Sequence, residues 1–152
     1  MTTDSPRLPI FVYGTLRPGH GNARMWEGHG DGLHDGAATV LGYRLTSNGG
    51  FPYLVADDGS VTAGCLVEPE PAEYEHVLAR MDALEGYAQH SRHNHYERVH
   101  VVVHTPEGPV LAWVYIPAAG EMADHARSLR NGPRRTDGTY DWSERDAWRR
   151  TA

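Results

Sequence analysis

The stretch PAEYEHVLARMDALEG, residues 71–86, is the one clear helix pattern before the C-terminal region, and the fold class turns on its standing alone. Tyr74, Val77, Leu78, Met81 and Leu84 recur at helical spacing and share one face. Pro71 suits the first turn, where no amide donor is needed, and Gly86 suits the left-handed position just past the end. The helix is therefore expected to end on Glu85. A carboxylate there faces the negative end of the helix dipole, where a cation is preferred. Its pKa is expected to rise, and burial adds to the rise. A carboxyl poised towards neutrality can both take and return a proton. The same residue also reads as an ordinary solvated glutamate, the usual state of this side chain.

Upstream of the helix the pattern is that of strands. PIFVYG, residues 9–14, is a short β-branched and aromatic run ended by glycine. Residues 17–32 are rich in Gly, His and Asn and read as a loop with a helical turn over 22–27. Residues 36–45 and 52–55 read as two further strands. Asp57-Asp58-Gly59 reads as a hairpin turn into another strand over 61–67. Downstream, residues 96–104 and 110–116 are strands joined by the turn Thr105-Pro106-Glu107-Gly108. A second helix is expected over 121–130. Residues 131–152 are polar and arginine-rich and are expected to form a partly ordered tail. Repeated βαβ units are missing, which argues against a doubly wound sheet. The expectation is one α+β domain over 1–152, with a curled, mainly antiparallel sheet and a few helices.

The whole chain sets further bounds. Its 152 residues suit one domain and are too few for two ordinary ones. The formal net charge is −6 and basic residues never form a block, which argues against nucleic acid as the main partner. Every basic residue is arginine, a bias read as that of a GC-rich bacterial genome. No apolar run reaches the roughly 20 residues of a membrane span. Residues 1–8 carry no apolar leader core. A single cysteine, Cys65, leaves no internal disulfide to form. These features point to the cytoplasm.

Three places carry candidate chemistry. Tyr13-Gly14-Thr15-Leu16 follows the first strand directly. Gly14 lets the backbone bend there, successive N–H groups in such a turn can converge on an anion, and Thr15 adds a hydroxyl. The same stretch also reads as an ordinary strand exit. Glu85 is the second. The third is the histidine group His90, His93, His95, His100 and His104. It lacks the HExxH or paired CxxC spacing of a zinc site, so solvated histidines are the better reading. Cys65 sits inside an apolar run and reads as a small buried hydrophobe. Ser47 and Ser60 lack the G-x-S-x-G setting of a hydrolase nucleophile.

Taken together, these segments resemble a known family. Phe11-Val12-Tyr13-Gly14-Thr15-Leu16-Arg17-Pro18-Gly19 resembles the opening signature of the γ-glutamyl cyclotransferase-like (AIG2-like) proteins. Phe51-Pro52-Tyr53-Leu54-Val55 resembles their next strand. Met81-Asp82-Ala83-Leu84-Glu85-Gly86-Tyr87 resembles the segment that carries the family's catalytic glutamate, and Tyr96-Glu97-Arg98-Val99 the strand after it. Ala112-Trp113-Val114-Tyr115 and Asp141-Trp142 match weaker features. The histidine-rich stretch before Tyr96 has no counterpart in that pattern.

The resemblance implies a mixed barrel-like α+β domain. It implies a small-molecule γ-glutamyl amide as substrate, with 5-oxoproline and a free amine as products. Tyr13, Gly14, Thr15 and Leu16 would hold the γ-glutamyl portion, Tyr96 and Tyr115 would line the site, and Glu85 would be the general acid/base. It implies no metal and no organic cofactor. Some relatives lack the glutamate, so a non-catalytic metabolite-binding module is the alternative, and a zinc-dependent amidohydrolase using the histidines is a second. The loops 17–32 and 88–94 are expected to read the leaving amine. Glu27 and Asp31 in the first of them would favour an amine with further positive charge.

Overall fold

The computed structural model describes residues 7–89, 91 and 93–151. In chain order the strands are β1 (Ile10–Val12), β2 (Gly30–Ser47), β3 (Pro52–Pro69), β4 (Tyr96–Thr105), β5 (Gly108–Pro117) and β6 (Arg130–Asn131). The helices are α1 (Tyr74–Glu85), α2 (Glu121–Ser128) and α3 (Arg145–Arg150). Neighbouring strands run β3-β1-β5-β4-β2-β6, and a further β2–β3 pairing closes the first five into a barrel. Among the named strands β1 and β5 pair in parallel and the other pairings are antiparallel; an isolated parallel bridge joins Thr62 to Tyr140. The expected α+β class and mainly antiparallel curled sheet are what the chain adopts. Among the described residues no helix is long and apolar enough to cross a membrane.

β1 is buried on both faces, as a central barrel strand must be. Ile10 and Val12 pack with Val77, Leu78 and Met81 of α1, while Phe11 joins Val40, Leu54, Leu66 and Val114 on the opposite face. A glycine is needed where β3 crosses this strand. A Cβ on Gly64 would stand 2.7 Å from the Phe11 ring, closer than packed atoms allow.

The long hairpin β2–β3 corrects the sequence expectation. Residues 52–55 and 61–67 are not two strands around a turn at Asp57-Asp58-Gly59. They belong to one strand, β3, paired along most of its length with β2. The true hairpin turn lies at residues 48–51. Between the pairs Leu41↔Val61 and Tyr43↔Ala56 the register shifts, so Asp57 to Ser60 form a bulge. A second shift, between Leu33↔Leu66 and Ala38↔Gly64, bulges residues 34–37 out of β2. Two bulges in one hairpin bend it and increase its twist, which is how so long a ribbon can wrap into a closed barrel. β2 also starts earlier than expected, at Gly30, and so takes up the end of the expected loop.

The C-terminal segment, expected as a partly ordered tail, is packed against the barrel. β6 pairs with the end of β2, and Tyr140 exchanges backbone hydrogen bonds with Val61 and Ala63 of β3. Tyr140 and Trp142 are buried in the barrel cluster. Asp141 is buried between two arginines. Arg17 Nη1 donates to Oδ1 at 2.6 Å and Arg135 Nε to Oδ2 at 2.7 Å. Arg17, also buried, donates its Nε to Asp35 at 2.9 Å. Burial alone would raise the Asp141 pKa. Hydrogen bonds from Ser143 and Arg17 outweigh it and hold the carboxyl at about 2. The segment reads as a polar tail in sequence, but its Asp141 is buried by pairing with Arg135 within it and with Arg17 after β1.

Candidate active site

The helix α1 ends as its sequence dictates. Gly86 takes the left-handed conformation, with φ 66° and ψ 34°. The Tyr87 N–H then turns back onto the Asp82 carbonyl at 2.9 Å. This stop leaves Glu85 lining a cavity of about 230 Å³. Tyr13, Gly14, Thr15, Leu16, Tyr96 and Tyr115 line the same cavity. All seven residues singled out from the sequence therefore meet in one place, drawn from β1 and its exit, α1, β4 and β5.

Glu85 is half-buried, and among the described residues nothing donates a hydrogen bond to its carboxyl. Burial pushes its pKa up to about 7. The cause is desolvation. The carboxyl thus changes charge near neutral pH.

The loop Tyr13–Leu16 forms the opposite wall. Asn22 holds it from behind. Its side-chain Nδ2 donates to Thr15 Oγ1 at 2.8 Å and its backbone N–H to the Thr15 carbonyl at 2.8 Å. The Trp26 indole donates to the Leu16 carbonyl at 2.8 Å. The Thr15 and Leu16 carbonyls are thereby engaged. Among the described residues, the N–H groups of Gly14, Thr15 and Leu16 donate to nothing within the chain. Gly14 is needed here for space and not for an unusual backbone angle. A Cβ on it would lie 2.7 Å from Pro52 Cγ. The expected reason, a sharp bend, is replaced by close approach of β3.

The tyrosines differ in what they offer. Tyr13 donates its hydroxyl to the Tyr115 carbonyl at 2.6 Å. Tyr115 donates its own to Asp82 Oδ1 at 2.6 Å. Arg98 Nη1 donates to both oxygens of Asp82, at 3.0 and 2.8 Å. The guanidinium also sits 4.6 Å from the centre of the Trp113 ring. Tyr96 stacks on Tyr53, with ring centres 6.1 Å apart and planes at 10°. Burial raises the pKa of all three cavity tyrosines, and the Glu85 charge raises each further. They remain protonated donors across the physiological range.

Asp82 and Arg98 were not singled out as site residues. Asp82 lies three residues before Glu85, so both project from the same side of α1. That spacing was the available signal. Phe51, Pro52 and Leu84 complete the lining. Glu27 and Asp31, expected to attract a cationic amine, do not line the cavity, and of the loop 17–32 only Asn22 does. None of the described residues among 88–94 does. Of the histidine group, His90 lies outside the described residues, and His93, His95, His100 and His104 are exposed. No group of three or more His, Cys, Asp or Glu among the described residues is placed to share a metal. Cys65 is buried, with its thiol pushed up to about 12 mainly by burial.

Comparison with known proteins places this closed mixed barrel, with its desolvated cavity-lining carboxyl, in a family. A model of the family "Gamma-glutamyl cyclotransferase, AIG2-like" matches residues 10–143, and the chain belongs to that family. It is 30% identical over 108 residues to the γ-L-glutamyl-butirosin B γ-glutamyl cyclotransferase of Niallia circulans, a match covering 70% of this chain and 65% of that protein. It is 36% identical over 84 residues to a protein of Halalkalibacterium halodurans that carries a provisional γ-glutamylcyclotransferase name, covering 55% and 69% of the two chains. The chain thus matches a little under two thirds of the Niallia protein. Among solved structures, a mouse AIG2-like protein superposes with a TM-score of 0.62 at 24% identity, covering 88% of each chain, which is a likeness of fold.

Proposed function

We propose that this chain is a γ-glutamyl cyclotransferase, releasing 5-oxoproline and a free amine from a γ-glutamyl amide, with Glu85 as general acid/base. The observation that carries the reading is a single one. A carboxyl with its pKa at about 7 shares a cavity with a loop whose N–H groups are unspent. The names of the two relatives support the same reaction.

In this mechanism the γ-glutamyl head lies against Tyr13–Leu16. The ionised Glu85 takes a proton from the α-ammonium and frees its lone pair. The amine nitrogen attacks the γ-carbonyl carbon, forming the ring C–N bond and placing negative charge on the carbonyl oxygen. Loop N–H groups stabilise that oxyanion. As the intermediate collapses, the original amide C–N bond breaks and Glu85 delivers its proton to the departing nitrogen; Glu85 then takes the second proton from the ring nitrogen and passes it to the amine, which leaves as its ammonium. Holding the substrate folded removes most of the entropic barrier to closing a five-membered ring. Tyr96 and Tyr115 form the wall beside the reacting groups. Neither water nor a Lewis acid enters the reaction as written.

A carboxyl that must be ionised to act as base sets the pH dependence. kcat/KM is expected to rise with pH through about 7 and then level off. Activity is expected to survive chelation. A rate that instead fell through that range would remove an ionised carboxyl as the base, and activity lost on chelation and restored by zinc would favour the amidohydrolase alternative. Binding of γ-glutamyl amides without any product would favour the binding module.

A further inference from the structure

The cavity has two unlike ends. Its floor is made of buried side chains, including Tyr13, Leu16 and Tyr115. Its rim holds Phe51 and Leu84, which are 43% and 38% exposed. These are two of only five large apolar side chains so exposed among the described residues. They come from different elements, the β2–β3 turn and the last turn of α1, yet border one opening. Leu84 follows the helical spacing of the α1 core face, but that face has passed the barrel by this point.

Phe51 is held in place. Ser47 Oγ donates to the Phe51 carbonyl at 2.7 Å and accepts from the Gly49 N–H at 2.9 Å. Arg149 Nε donates to the Gly49 carbonyl at 2.9 Å, which ties the turn to α3. The Phe51 ring lies 5.3 Å from Tyr53, which stacks in turn on Tyr96. A fixed apolar lip needs little ordering when a ligand settles on it. Among the described residues no charged side chain but Glu85 lines the cavity, so a charged group on the amine half, resting at the Phe51–Leu84 lip, would lose water without gaining a partner there.

Resting on the cyclotransferase reading, we propose that the leaving amine carries an apolar aryl or alkyl group packed between Phe51 and Leu84, so that the substrates are γ-glutamyl amides of hydrophobic primary amines. With the γ-glutamyl head on the loop and the scissile amide at Glu85, the remainder of the substrate has to pass this lip to leave the cavity. Shape and apolar contact in such a pocket discriminate by about tenfold or more per group.

The test compares kcat/KM for γ-glutamyl phenethylamide, γ-glutamyl ethanolamide, γ-glutamyl diaminobutane and γ-glutamyl glycine. The phenethylamide is expected to exceed each of the others by about tenfold or more. In Phe51→Ser, Leu84→Ser and the double variant, the ratio of phenethylamide to ethanolamide should fall towards one. Both side chains are partly solvated, so the variants are expected to fold. A wild-type ratio at or below one, or a ratio untouched by the double variant, overturns the proposal. If no amide yields 5-oxoproline, the cyclotransferase reading fails separately, and titration calorimetry with the intact amides decides the lip. Tighter phenethylamide binding that is lost in the double variant sustains it; equal binding of phenethylamide and ethanolamide overturns it.

Discussion

Glu85→Gln is expected to lower turnover by at least about a hundredfold, the usual contribution of a positioned acid/base. The amide keeps the size of the side chain but cannot accept the proton. The same substitution is expected to stabilise the fold at pH 8. The folded-state pKa, about 7, lies above the ordinary carboxyl value near 4.5. Between those two values the folded protein binds more protons than the unfolded chain. The favourable contribution of the neutral carboxyl is complete below about pH 4.5 and is lost as pH rises through about 7. Above that, the wild type carries a desolvated charge that glutamine does not have. The gain for a half-buried site is about 1–3 kcal/mol, or several degrees in melting temperature. At pH 4 the two proteins should melt together. Retained turnover would remove Glu85 as the base. Equal melting at pH 8 would mean that the carboxyl is not desolvated.

The largest loss of stability is expected from Arg17→Met. Arg17 is enclosed between Asp35 and Asp141 and follows the Tyr13–Leu16 loop directly. Its removal leaves Asp141 buried with Arg135 and Ser143 as its remaining donors. Breaking a buried pair on one side costs about 3–5 kcal/mol. The Asp141 pKa should rise from about 2 once this donor is gone. Its contribution to stability, present in the wild type above about pH 3.8 and lost towards 2, should then be lost at higher pH. Urea denaturation at pH 7 and pH 4 measures both effects. A midpoint within error of the wild type at both pH values would show that the ion-pair cluster is not what seats the C-terminal segment.

Particular residues show why some of this was legible in sequence. α1 was readable because apolar spacing, a proline start and a glycine stop agree, and Gly86 then fixes where Glu85 stands. The strand pair β4–β5 was readable because its two-residue turn carries Pro106 and Glu107 between long β-branched runs. β3 was split in two because Asp-Asp-Gly is turn chemistry, and a bulge uses the same residues as a hairpin. The C-terminal segment reads as a tail because arginine and aspartate look solvated until their pairing in space is known. Asp82 is hard to read in sequence for the same reason, since its partners Tyr115 and Arg98 are distant along the chain. Leu84 belonged to the helix face by spacing, and only the barrel's outline shows where that face stops being core.

The central claim is ring closure by the substrate's own amine, and heavy-oxygen water tests it most directly. Turnover of a γ-glutamyl amide in that solvent should give 5-oxoproline and free amine by mass spectrometry, with no heavy oxygen in the 5-oxoproline. Glutamate carrying one heavy oxygen in its γ-carboxylate would contradict the account, because water and not the α-amine would then have attacked the carbonyl.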